Sequence, residues 1–451
     1  MTQNHNSVGL LRGLSTWDSA AVVVGTIIGT GIFLKTTAMA QLLGSPIWVL
    51  VAWIVAGLLS YAGALCYAEL SSRYPEAGGE YAYLRHGYGN GIAFLYGWTR
   101  FLIAGPGSTA AYAVGAATFL GGAFEISLGL RTMVAIGFIV FFAVLNCIRV
   151  KTSGRIQTAL TLIKLLLVLA LVMGILLFGE TAQMGSVFSS PDGHSFPGMS
   201  AFGAALLAAL WAYDGWNNLP MVGSEVQNPQ VAIPRALGLG LLVVILTYVI
   251  TNVAYLVALP WGTVLSGNST QFPEALPVAT LAAQSFLGTS AVAVMSIIFT
   301  VSALGAMHGS VLTGARVPYA MARDGLFFQK LSFLNSHSHA PVISVLAQAS
   351  VAIGLALIGS FDQLTDSVVF ASFVFYLLNA ILILKLRKSE KEKPAGQFRT
   401  PWYPVLPLVF IFVSAWLLAS TVISDPRGSL LGVGIIALGI PVYKFYAGAA
   451  R

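Results

Sequence analysis

The sequence predicts an all-α integral membrane protein of about twelve transmembrane helices, and three observations carry the prediction. Of the 451 residues, 57% are hydrophobic and only 9% charged, with a mean hydropathy of +0.82. A soluble domain carries about a quarter of its residues as charged side chains. The apolar residues also fall into blocks, and a bilayer core takes about 20 mostly apolar residues per helix. Finally, the basic residues gather in alternate loops between those blocks.

Taken in order, the blocks lie near 17–42, 47–72, 91–119, 131–149, 156–178 and 199–222. Six more lie near 236–259, 289–315, 341–359, 364–386, 402–423 and 428–447. The shorter stretch 273–287 reads as an amphipathic piece on the outer surface. With the N-terminus placed inside, the inner loops hold Arg73, Arg85, Arg149, Lys151, Arg155, Arg235, Arg316, Arg323 and the run from Lys385 to Lys393, with Arg451 at the C-terminus. The outer loops hold little more than Arg131 and Arg427. Positive charge marks the cytoplasmic side, so both termini are predicted inside; with no obvious targeting segment and no long extramembrane domain, a multi-pass protein of a plasma (inner) membrane is expected. The formal net charge of +7 therefore reports topology rather than nucleic-acid binding. Glu390 and Glu392 interrupt the Lys385–Lys393 run, which reads as a topology-setting loop or a lipid-binding patch. Cys66 and Cys147 sit in apolar runs with no disulfide or metal-ligand spacing, as small packing residues do. Residues 1–15 are polar and the first block is too long for a signal h-region, so no cleavable signal is expected. Nothing in the sequence calls for a cofactor or metal.

Two blocks are poor continuous helices. The first contains Gly25-Thr26-Ile27-Ile28-Gly29-Thr30-Gly31-Ile32-Phe33. Glycine costs a helix about 1 kcal/mol relative to alanine. Small residues four apart serve close helix packing, whereas Gly-Thr-Gly also lets the helix unwind and leave amides free. The sixth block contains Trp211-Ala212-Tyr213-Asp214-Gly215-Trp216-Asn217-Asn218-Leu219-Pro220. An aspartate at mid-membrane costs about 2.5–3.5 kcal/mol on insertion scales, which makes function the default reading and a partner on a neighbouring helix the alternative.

The two breaks open successive blocks of five helices. Five is odd, so the two blocks sit in the membrane with opposite orientation. Interrupted segments at matching places in inverted halves point to a transporter site at their interface. Free amides at a helix N-terminus suit an anion, and free carbonyls at a C-terminal end suit a cation. A site with both suits a zwitterion such as an amino acid.

At these residues the chain resembles the amino acid–polyamine–organocation transporters, and within them the L-type amino acid transporter branch. The resemblance rests on Gly29-Thr30-Gly31-Ile32-Phe33, Pro75-Glu76-Ala77-Gly78-Gly79-Glu80-Tyr81, Lys164, Trp211 to Asn217, and Tyr319-Ala320-Met321-Ala322-Arg323-Asp324-Gly325. It implies a LeuT-like fold of five-plus-five inverted repeats, here 16–179 and 199–387, with two further helices in 400–447. It also implies a single membrane transport domain. The amides of Thr30, Gly31 and Ile32 would hold a substrate carboxylate, and the carbonyls of Ile27, Trp211 and Ala212 its ammonium. Trp211 would close over the substrate, with Tyr213 and Asp214 beside the side-chain pocket.

The same resemblance sets Lys164 against the carbonyls of Gly25 and Ile28 and the hydroxyl of Ser302, where sodium-coupled relatives hold sodium. The implied activity is sodium-independent amino acid exchange; proton-coupled amino acid or polyamine symport is the alternative. A lysine near the end of a span can instead snorkel to the interface. Asp214 resembles the branch that carries cationic alongside neutral amino acids, so cationic cargo is expected as well. The loop Leu120–Arg131 has no cysteine where animal light subunits bond a heavy subunit, so a chain acting alone is expected. The segment Pro75–Gly91 reads as short interfacial helices with Glu76 and Glu80 near Arg85, or as a plain capped loop. His308 reads as a satisfied interior histidine or as a proton-coupling group. No nucleophile–base pair, catalytic carboxylate pair or phosphate-binding glycine loop speaks for an enzyme or an ATP-driven pump.

Overall fold

The computed structural model describes residues 9–179, 195–358, 361–390, 396–424 and 426–449. Lys391, Lys393 and Arg451, which entered the orientation argument, lie outside these residues, as does Glu392. Each predicted block coincides with helix. The first is α1 (Thr16–Ile27) and α2 (Gly31–Leu43), followed by α3 (Pro46–Arg73) and the short α4 (Glu80–Tyr88). A run of α5 (Asn90–Thr99), a π-helical turn (Arg100–Ala104) and α6 (Gly105–Ala123) leads to α7 (Leu128–Leu145) and α8 (Val150–Phe178). Then come α9 (Met199–Tyr213), α10 (Asn218–Met221), α11 (Pro229–Ala258), α12 (Trp261–Leu265) and α13 (Val278–Leu287). The chain closes with α14 (Ala291–Gly314), α15 (Arg316–Arg323), α16 (Val342–Ile358), α17 (Phe361–Ser389), α18 (Val405–Ser424) and α19 (Pro426–Ala449).

Among the described residues, seven helical stretches are long and apolar enough to cross a bilayer, and α1 with α2 makes an eighth as a pair bent by 41°. Three of the four predicted spans outside this count are interrupted or short, and the fourth is α17. The π turn separates α5 from α6, α9 stops after 15 residues at Asp214-Gly215, and α16 runs for only 17. The stretch expected as an outer amphipathic piece carries α13, whose Val278, Ala279, Thr280, Ala282 and Ala283 are buried. It packs on α2, α8 and α14, so one face belongs to the core.

The start of α1 is fixed locally. Ser15 Oγ accepts the Asp18 amide at 3.2 Å while the Asp18 carboxylate accepts the Ser15 amide at 3.0 Å, a reciprocal capping box. The small-residue sequence of α6 lets it pack closely along α14 and α16. Large apolar side chains such as Leu166, Phe412 and Leu430 point outward, as lipid-facing residues do.

Charge ties the segment that leads into α18 to the rest. Glu69, fully buried on α3, accepts Arg73 Nη2 at 2.6 Å, Arg387 Nη2 at 2.6 Å and the Thr400 amide at 2.8 Å. Within the same contacts Glu390 bonds Arg73 and Arg399.

Candidate functional site

The two breaks meet in the middle of the molecule. Past α9 the backbone is extended at Asp214 and turns at Gly215, whose φ of +124° lies in the left-handed region. A Cβ there would stand 2.9 Å from the carbonyl carbon and oxygen of Thr26 and 3.1 Å from the Ile27 amide. Only hydrogen at this position lets the two backbones touch. The second approach is at Gly31, where a Cβ would stand 2.6 Å from Ala212 Cβ and 3.1 Å from the Trp211 ring. The Thr26 hydroxyl reaches the Gly215 carbonyl at 3.0 Å, which adds a side-chain link between the breaks.

Lys164 on α8 is buried against the first break. Its Nζ donates to the carbonyls of Gly25 at 2.8 Å, Ile28 at 2.6 Å and Ser302 at 3.0 Å. The side chain turns inward and does not snorkel. One detail differs from the expectation: Ser302 meets the ammonium through its carbonyl, and its hydroxyl donates to Gly29 at 2.9 Å. The reason is local, because the unwound Gly29 carbonyl has lost its helical amide and is the nearer acceptor.

Gly31 and Ile32 occupy the first turn of α2, where helix geometry leaves amides without an intrahelical acceptor. Thr30 precedes them, fully buried, and its hydroxyl makes no hydrogen bond. The carbonyls of Ile27 and Ala212 both receive the Tyr248 hydroxyl, at 3.0 and 2.9 Å. The Trp211 carbonyl accepts the Asp214 amide at 3.1 Å and closes the end of α9. Tyr213 is turned away from the breaks: its ring packs on Trp53 and Tyr248, and its hydroxyl lies against Gly57 of α3. Asp214, partly exposed, accepts the Tyr376 hydroxyl at 2.6 Å.

Below the second break lies a polar cluster. Glu80 is buried and accepts Tyr67 at 2.7 Å, Asn379 at 3.1 Å and Asn217 at 3.2 Å. Arg100, also buried, donates to Asn218 at 2.6 Å. Glu80 begins α4, outside the spans, and burial raises its carboxyl to about 7. The Tyr67 hydrogen bond and the Arg100 charge oppose that rise, while the Asp214 charge adds to it.

The Pro75–Gly91 segment forms α4, and Glu76, not Glu80, pairs with Arg85, at 2.7 Å. Arg85 also pairs with Asp324, which accepts Tyr81 at 2.9 Å. Burial opposes the Arg85 charge, but the Asp324 and Glu76 carboxylates outweigh it and raise the guanidinium above its ordinary value. These residues line a cavity of about 420 Å³ with Tyr319, Arg323 and Ser224. A buried pair, Arg316 with Glu225 at 2.7 and 3.0 Å, holds α15 to the turn after α10. The Glu225 carbonyl in turn receives the Gly13 and Leu14 amides. His308 is satisfied on both nitrogens, by Gln157 at 2.8 Å and Ser153 at 3.2 Å.

Tyr248, Arg100, Tyr376 and Asn379 were not among the expected site residues. Tyr248 carried a signal, since a hydroxyl inside an apolar block needs an acceptor. The other three become meaningful only once α10 and the π turn are placed beside them.

The family model for amino acid permeases matches residues 14–442. A serine/threonine exchanger of Bacillus subtilis (strain 168) is 34% identical over 440 residues, covering 96% of this chain and 97% of the exchanger. The cystine/glutamate transporter of Homo sapiens is 30% identical, over 98% of this chain and 86% of its own. The b(0,+)-type amino acid transporter 1 of Mus musculus is 27% identical, over 98% and 88%.

Proposed function

The chain belongs to the amino acid permease family of multi-pass membrane transporters, and on that premise we propose that it exchanges amino acids by alternating access without sodium. The observation that carries this reading is Lys164, whose ammonium occupies the carbonyls of Gly25, Ile28 and Ser302. A fixed cation there meets the oxygens that a sodium ion would need. The serine/threonine exchanger, similar along almost its whole length, supports exchange as the mode.

In this reading the Thr30, Gly31 and Ile32 amides take the substrate carboxylate. The carbonyls of Ile27, Trp211 and Ala212 take its ammonium, which displaces or shares the Tyr248 hydroxyl. Trp211 covers the site. Neutral amino acids are the principal cargo. Cationic ones are secondary, admitted when Asp214 leaves Tyr376 for a basic side chain. The repeats 16–179 and 199–387 rock about the breaks, 400–447 supports them, and both termini face the cytoplasm of an inner membrane. The chain acts without a disulfide-linked heavy subunit, a reading that rests on the loop Leu120–Arg131 carrying no cysteine. A substrate shifts only the equilibria it binds differentially, so closure must tighten the grip on both ends of the amino acid.

The test is uptake of labelled amino acid into proteoliposomes with and without unlabelled amino acid inside. Uptake that needs a loaded interior and ignores sodium supports the proposal. Steep dependence on external sodium overturns it, and uptake into empty vesicles driven by a pH gradient converts it to proton symport.

A further inference from the structure

Lys35 stands one turn beyond Gly31 on α2, on the side of the breaks remote from the N-terminus. Its Nζ lies 5.0 Å from the centroid of the Trp211 ring. The same ring reaches within 3.1 Å of a Cβ position on Gly31. The indole is therefore clasped between the first turn of α2 and an ammonium in the second. Both residues are only partly buried, so neither the ammonium nor the ring is sealed within the core.

The charge of Lys35 is not spent on an ion pair. Among the described residues no carboxylate pairs with it, and the carboxylates nearest the breaks are engaged elsewhere, Asp214 by Tyr376 and Glu80 by Tyr67, Asn217 and Asn379. The N-terminal end of α2 adds partial positive charge of the same sign. An amino acid arriving from this side meets a cationic rim with an aromatic lid. Such a rim favours its carboxylate and opposes a second positive charge on its side chain.

We propose that Lys35 is a specificity-determining residue that holds cationic amino acids to a minor share of the cargo. The proposal rests on the amino acid reading above and deepens it by naming what sets the charge of the preferred substrate. Two positive charges about 8 Å apart, at an effective dielectric between 20 and 80, repel enough to change a rate ratio by about 2- to 30-fold. The opposite pull of Asp214 acts inside the site, whereas Lys35 acts at its entrance.

The experiment compares Lys35→Met, Lys35→Gln and Lys35→Arg with the wild type in loaded proteoliposomes, using labelled serine and labelled arginine outside. Lys35→Met and Lys35→Gln are expected to raise the arginine-to-serine ratio at least 2-fold, and Lys35→Arg to leave it at the wild-type value. A lysine that merely anchors α2 at the interface would lower both fluxes together and leave the ratio unchanged. An unchanged ratio in the two neutral variants, with serine exchange retained, overturns the assignment. If the wild type exchanges neither substrate nor any other amino acid, the functional reading itself falls and the assignment with it.

Discussion

Replacing Lys164 with alanine is the sharpest perturbation available, because it removes one cation and leaves a nest of oxygens. Ser302 contributes its carbonyl from within α14 and keeps its helical amide, so it is not orphaned. Gly25 and Ile28 lie at the end of α1, where carbonyls have no further intrahelical donor. The Gly25 carbonyl therefore loses its partner, at about 1–3 kcal/mol, while Ile28 keeps only the long Ser302 hydroxyl contact at 3.4 Å. Relief of burying an ammonium offsets part of this, so the loss of thermal stability alone does not discriminate. Sodium does. The vacated position is lined by the carbonyls of Gly25, Ile28 and Ser302, with the Ser302 hydroxyl nearby. If sodium enters with a Kd of about 10 mM, 150 mM sodium stabilises the variant by roughly 1.6 kcal/mol. The assay is thermal unfolding of the purified protein, paired with exchange in proteoliposomes, in sodium against choline at constant ionic strength. Lys164→Ala is expected to lose exchange in choline and to gain stability in sodium, with no sodium response in the wild type. Full exchange by the variant in choline would refute the idea that the ammonium shapes the break.

Other substitutions probe the neighbouring geometry. Gly215→Ala places a methyl against the Thr26 backbone at a φ of +124° and is expected to cost more than about 3 kcal/mol; a thermal midpoint within a degree of wild type would contradict the close approach. Glu225→Gln strips the counter-charge from Arg316 in a site where both are 1% exposed, at about 3–5 kcal/mol, and should lower the midpoint clearly. Glu80 supplies a pH test. Its carboxyl is raised to about 7, so between about pH 4.5 and 7 the folded state holds a proton that the unfolded state has lost. That contribution is present at low pH and fades as the pH rises through 7. The stability of wild type relative to Glu80→Gln should therefore fall by up to about 3 kcal/mol from pH 5 to pH 9, read as midpoints across the range. A difference that stays flat would contradict the burial argument.

Much of this architecture is legible in the chain itself, and the reason is that lipid simplifies the problem. A bilayer forces helices, so hydropathy places every block, and glycine or aspartate inside a block marks a break. The Lys164 contacts follow from the resemblance, yet the route taken by Ser302 does not. Which of two donors on one residue reaches an unwound carbonyl depends on ångström-scale geometry. Glu80 shows a second kind of blindness. A glutamate five residues before Arg85 looks like its ion partner, but α4 turns Glu80 beneath the spans and leaves Arg85 to Glu76 and to Asp324, the latter distant in sequence. The Arg100 and Tyr376 contacts escape for the same reason: each joins elements that only tertiary packing brings together. The span count suffers where it should, at α9 and at the π turn, because the interruptions that mark the site also shorten the apolar runs.

The π-helical turn at Arg100–Ala104 acts as a phase shifter. Each α-helical residue advances about 100° around the axis, and a π turn carries an extra residue, so α6 is rotated against the phase it would inherit from α5. With the extra residue in place, Arg100 faces Asn218 while Tyr112 on α6 lies against Gly29. A deletion of one residue within this turn would keep every motif, every charge and nearly all the hydrophobic length. Yet it would swing Tyr112 off the first break or Arg100 off the second. Two halves of one span are thus indexed separately to the two breaks, and the index is a length, invisible to any comparison of side-chain identities.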